Sequence, residues 1–122
     1  MKESFRLLSV NVINEIENND FTVELEGNGI YRFSRYSSMG QDFSFSIDIG
    51  KNHYEFLDNI LEYYNMFDIS YEAYLWLDEF GHGKNGAPYE MIDVYKDMEE
   101  CKEFIYELYQ IVKDWWLLNY KC

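Results

Sequence analysis

Residues 21–49 read FTVELEGNGIYRFSRYSSMGQDFSFSIDI. Phe21, Val23 and Leu25 alternate with Thr22, Glu24 and Glu26, the period-two pattern of a strand with one buried face. Gly27, Asn28 and Gly29 form a strong hairpin-turn signal. Residues 30–36 return as a second strand. After SSMGQ, Phe43, Phe45, Ile47 and Ile49 alternate with Asp42, Ser44, Ser46 and Asp48. The stretch predicts a three-stranded antiparallel meander with one apolar face.

The flanking segments predict helices to cover that face. Residues 4–20, SFRLLSVNVINEIENND, place Phe5, Leu8, Val12 and Ile16 on one stripe with Ile13 beside it; Ser4 is the expected cap. Beyond the meander, Asn52 and Glu55 form a capping-box-like pair. Leu57, Ile60, Leu61 and Tyr64 follow as a buried stripe, flanked by Phe56 and Phe67. Residues 69–78, ISYEAYLWLD, read as a fourth strand, with Tyr71, Ala73, Leu75 and Leu77 on one face and Glu72, Tyr74, Trp76 and Asp78 on the other. A Gly-rich loop, EFGHGKNGAPY, leads to a short fifth strand at EMIDVY. Asp97 is then the expected cap of a last helix, with Glu100 at its N3 position and a stripe of Cys101, Phe104, Ile105, Leu108, Ile111, Val112 and Trp115. The expected fold is one α+β domain over residues 1–122. It has an antiparallel sheet of 4 to 5 strands with helices on one face, in the order α-β-β-β-α-β-(β)-α.

Composition supports a real core: 48% of the 122 residues are hydrophobic and 20% aromatic, with one proline. The formal net charge is −13. A surface that acidic repels nucleic acid and anionic membranes and is drawn to basic partners. The N-terminus has neither a long apolar run nor a small-residue cleavage site, and no segment has the ~20 apolar residues of a membrane span, so the cytoplasm is expected. Cys101 and Cys122 are separated by helix expected to span roughly 30 Å, too far for a disulfide. Cys101 is expected in the core and Cys122 as a free terminal thiol.

Chemical motifs are sparse. GHGKNG departs from the phosphate-loop pattern at both ends, because Asp78 stands five residues before Gly83 and Asn85 follows Lys84. His53, His82, Cys101 and Cys122 lack zinc-ligand spacing, and Asp78 and Glu79 do not fit a calcium loop. There is no G-x-S-x-G elbow. No catalytic residue, metal, cofactor or small-molecule substrate is expected.

Charge distribution is more informative. Residues 1–52 carry 8 acids against 5 bases, whereas residues 53–122 carry 15 against 5. Glu55, Asp58 and Glu62 line one side of the second helix. Glu100, Glu103, Glu107 and Asp114 line the last one, where Glu99, Glu103 and Glu107 stand at i,i+4 intervals. Such like-charge pairs cost stability. Acids spaced along a helix imitate a row of phosphates, which a basic nucleic-acid channel accepts in place of DNA. Exposed Tyr and Trp beside them suit a contact surface. The alternative is an acidic face that serves only solubility.

The order helix, three-stranded meander, helix, with INEIENNDFTVELEG at residues 13–27, resembles the small acidic anti-CRISPR proteins that phages and mobile elements use against Cas9. The likeness covers about the first half of the chain. It implies acidic side chains occupying the site where Cas9 reads the short DNA motif beside its target. The fourth strand, the Gly-rich loop and the long last helix depart from that family, so no contact residue is carried across. The expected function is a non-enzymatic inhibitor of a basic nuclease, Cas9 with its guide RNA foremost, with no direct nucleic-acid or membrane contact. The candidate contacts are Glu72, Tyr74, Trp76, Asp78, Glu79, Lys84, Asn85, Glu90, Asp93, Glu99, Glu100, Glu103 and Glu107. Rival readings are an immunity protein against a basic toxin nuclease, an anti-restriction DNA mimic, and a structural or regulatory interaction domain.

Overall fold

The alternation in residues 21–49 becomes a three-stranded antiparallel sheet in the order β1-β2-β3: β1 Thr22–Gly27, β2 Ile30–Tyr36 and β3 Asp42–Asp48. The computed structural model describes residues 7–120. Asn28 and Gly29 turn the first hairpin at φ 49° and 81°, conformations in which Asn and Gly are the least strained residues. Tyr31, Phe33, Phe45 and Ile47 are buried on the inner face. Thr22, Glu24, Arg32, Ser44 and Ser46 face solvent on the other.

Four helices complete the described residues: α1 Val10–Glu17, α2 His53–Met66, α3 Ile69–Leu75 and α4 Met91–Tyr120. α4 has 30 residues, about 45 Å of helix, and α1, α2 and α3 all pack against it. Its Val94, Met98, Cys101, Phe104, Ile105, Leu108 and Val112 are buried. Phe33 lies between Phe45 and Phe56, at centroid distances of 5.8 and 6.4 Å. Phe21 meets Phe104 edge-on at 6.5 Å. These aromatic contacts knit sheet to helices. No helix among the described residues is long and apolar enough to cross a membrane.

Several expectations are corrected. The sheet has three strands, because residues 69–78 form α3 and not a strand. Asp68 caps α3, its Oδ1 accepting from the Ser70 and Tyr71 N–H groups. Ile69, Ala73, Trp76 and Leu77 then turn inward at helical spacing, while Tyr71 and Leu75 are exposed. Of the four residues expected on the apolar strand face, Tyr71 and Leu75 therefore point to solvent, while Ala73 and Leu77 stay against the core. An isolated bridge between Leu77 and Gly83 is the extended pairing found in this region. EMIDVY is no strand either, since α4 begins at Met91. Asp97 therefore lies inside the helix, fully buried, and caps nothing. α1 starts at Val10 under a Ser9 cap, and the expected cap Ser4 and stripe residue Phe5 lie outside the described residues. Asn52 caps α2 as expected, while Glu55 reaches back to the Lys51 N–H at 2.8 Å. Cys101 is buried and free; Cys122 lies outside the described residues.

Candidate acidic docking face

The connection from α3 to α4 is an ordered loop held by its own hydrogen bonds. The Asp78 carboxylate accepts from the N–H groups of Phe80 at 2.8 Å and His82 at 3.0 Å. The His82 bond, then the Phe80 bond, lowers the pKa of Asp78. Lys84 N–H donates to the Trp76 carbonyl and Gly83 N–H to the Tyr89 carbonyl. His82 stacks on Tyr89 with ring centroids 4.0 Å apart. Gly83 is required here, because a Cβ would run into the Pro88 carbonyl oxygen. The loop tip turns at Asn85 and Gly86, at φ 56° and 89°.

This frame separates the candidate residues. Tyr74 is exposed, with Glu79, Lys84, Asn85 and Glu90 along the loop. Asp93 is half-buried in the first turn of α4, where the positive helix end favours a carboxylate. Asp78 is spent on the loop's own N–H groups. Trp76 is half-buried against the core, no longer on a shared strand face with Tyr74. Glu72 lies apart, between α3 and the sheet beside Tyr63 and Phe67. Burial first, and then Asp68, raises its pKa; burial and Glu72 raise that of Tyr63.

The acids of α4 also divide. Glu100 accepts from Ser38 N–H at 3.1 Å and from its hydroxyl at 2.8 Å, tying the β2–β3 turn to the helix. Glu107 pairs with Arg35 at 2.7 Å. The Arg35 guanidinium in turn lies 4.3 Å from the Phe104 ring centroid. Glu99 and Glu103 are exposed and pair with no cation among the described residues. Two of the three lysines of the helix lie over rings, Lys102 over Tyr64 at 4.9 Å and Lys113 over Tyr109 at 5.9 Å, and the third, Lys96, makes no ion pair with either acid.

Sequence reasoning missed two features. The first is an apolar component: Phe80, Tyr89 and Ile92 are 76%, 63% and 61% exposed around the loop and the start of α4. A phenylalanine between Glu79 and Gly81, in a loop with no strand to bury it, was the available signal. The second is an interior carboxyl. Both oxygens of Asp97 are buried without a hydrogen bond. Burial raises its pKa; the nearby Ser37 hydroxyl favours the ionised form without making a full hydrogen bond, and Glu100 pushes upward. Next to it, burial and then Asp97, Glu100 and Glu72 push the Cys101 thiol up to about 12. Among the described residues no three His, Cys, Asp or Glu side chains converge to hold a metal.

The loop and the start of α4 thus carry exposed carboxylates and exposed aromatic side chains close together in the chain. Compared with family models, curated proteins and solved structures, the chain matches none.

Proposed function

We propose that the chain is a non-enzymatic inhibitor that docks its α3–α4 face on a basic nucleic-acid-handling protein, Cas9 with its guide RNA foremost, and blocks DNA access in the bacterial cytoplasm. The observation that carries the reading is the company of charge and apolar surface. Glu79, Glu90 and Asp93 stand without cation partners among the described residues in the loop and first turn of α4 that also carry exposed Phe80 and Tyr89, and Glu99 and Glu103 follow, likewise unpaired, further along α4. Carboxylates in place of phosphates release counterions from a basic channel, so affinity falls as salt rises. Aromatic anchors add the apolar burial that bare charge lacks. The resemblance of the first half of the chain to anti-CRISPR proteins supplies Cas9 as the first candidate, and the site that reads the DNA motif beside the target as the place of docking.

The test is binding of the purified chain to Cas9–guide RNA at low and high salt, with a parallel DNA-binding competition. The double variant Glu99→Lys and Glu103→Lys should weaken binding by about tenfold or more, since each charge contact is worth about 1 kcal/mol. Affinity unmoved by salt and by both substitutions would remove the basis for this reading. Binding to a basic toxin nuclease and not to Cas9 would keep the electrostatics and make the chain an immunity protein.

A further inference from the structure

We propose that the free edge of β3 takes up an extended, lysine- or arginine-bearing segment of a partner protein as a fourth strand. Among the described residues, β3 pairs with β2 alone. The Ile49 N–H donates to the Gly29 carbonyl, and the Ser37 N–H to the Gln41 carbonyl. With that register, residues 43, 45 and 47 bond to β2, while Asp42, Ser44 and Ser46 aim N–H and C=O away from the sheet. No described residue bonds to those backbone groups. The Asp48 carbonyl is taken by the Asn59 side chain at 2.8 Å, which closes the edge at that end.

A groove runs beside this edge. One hollow of about 330 Å³ lies along residues 46–48 and another of about 270 Å³ along residues 41–44; Tyr63, Phe67 and Glu72 form the far wall of both. Strand edges are normally blunted by proline, lysine or a bulge. The opposite edge, β1, has a bulge between Leu25 and Gly27. β3 has none of these and pairs in unbroken register.

Charge identifies the occupant. Asp42, Asp48, Glu62 and Glu72 line the two hollows, and among the described residues no lysine or arginine does. An added strand would lay alternate side chains inward on Tyr63, Phe67 and Trp76, and the others outward beside Asp42. Apolar residues suit the first positions and basic residues the second. A second copy of the chain suits them poorly: its β3 would bring Asp42 and Asp48 and no lysine or arginine to an edge already lined by acids.

The probe is a peptide of about eight residues with alternating lysine and valine, enough to span the seven residues of β3. Amide exchange is followed residue by residue in the full chain. The peptide should slow exchange at Asp42, Ser44 and Ser46, with little change at Phe43 and Phe45. N-methylation of one central edge-facing amide should weaken binding by about tenfold, one hydrogen bond's worth. Ser44→Pro should do the same, because it removes an outward N–H and leaves the β2–β3 ladder intact. If that variant folds poorly, the N-methylated peptide carries the test alone. Unchanged exchange, indifference to N-methylation, equal binding of a glutamate–valine peptide, or a dimer whose Ser44 and Ser46 amides are already protected would overturn the proposal. The site is independent of Glu99 and Glu103, so reversing those charges should leave peptide binding nearly unchanged.

Discussion

Glu103 and Glu107 sit one turn apart on the same exposed stripe of α4, yet reversing their charges should move stability in opposite directions. Glu103 stands between Glu99 and Glu107 at i±4, and each like-charge pair costs about 0.2–0.5 kcal/mol. Glu103→Lys turns both repulsions into attractions of similar size, a gain of about 1 kcal/mol. Glu107→Lys relieves one repulsion and makes one favourable pair with Glu103, which returns about 0.4–1 kcal/mol. Against this, it loses the 2.7 Å contact with Arg35. Both partners are partly solvated, so that contact is worth about 0.5–1 kcal/mol, and the new ammonium beside the guanidinium costs as much again. The net is a loss of about 0.5–1 kcal/mol. For a domain of this length, 1 kcal/mol moves Tm by about 3–6 °C. Thermal melts at about 20 mM and about 500 mM salt should place the variants on either side of wild type, with the gap narrowing at high salt. Glu107→Lys melting at or above wild type would show that the Arg35 contact contributes nothing and that the stripe acts as one uniform acidic surface.

Three further outcomes follow from the interior and the loop. The folded state binds the Asp97 proton more tightly than the unfolded chain does, because burial holds its pKa above the ordinary 3.8. Its favourable contribution is therefore complete below pH 3.8 and is lost as pH rises through the folded-state value. Asp97→Asn removes the charge that must be buried above that value. It should stabilise by about 1 kcal/mol at pH 7, and the gain should vanish near pH 4, measured by urea unfolding at both. With its thiol pushed up to about 12, Cys101 should resist alkylation at pH 8 in a Cys122→Ser variant, and one equivalent should react once urea unfolds the chain. Labelling of the native variant at the rate of a free thiol would contradict that burial. Gly83→Ala should disrupt the loop at a cost of about 1–3 kcal/mol, because its Cβ would meet the Pro88 carbonyl. The expected readout is faster amide exchange at residues 77–89 and loss of the ring-current shift from His82 on Tyr89.

The meander was legible because its information is local. Period-two alternation from Phe21 to Ile49 set the faces, and Asn28 with Gly29 set the turn. The same holds for α2, whose cap and stripe lie within a few residues of each other. The acidity was legible too, since net charge needs no structure. Residues 69–78 were not: Tyr71, Ala73, Leu75 and Leu77 fit period two as neatly as Ile69, Ala73, Trp76 and Leu77 fit a helix. The Asp68 cap and packing against α4 decided between them. The fate of each carboxylate was also beyond local pattern. Ser38 recruits Glu100 and Arg35 recruits Glu107 across 62 and 72 residues of chain, and α4's earlier start carries Asp97 from an expected cap into the core. Sequence by itself determined that this protein is acidic, aromatic and built on a three-stranded meander. Tertiary structure alone decided which acids are spent inside the fold and which stay exposed and unpaired among the described residues, because an ion pair depends on distance in space and sequence spacing does not encode it.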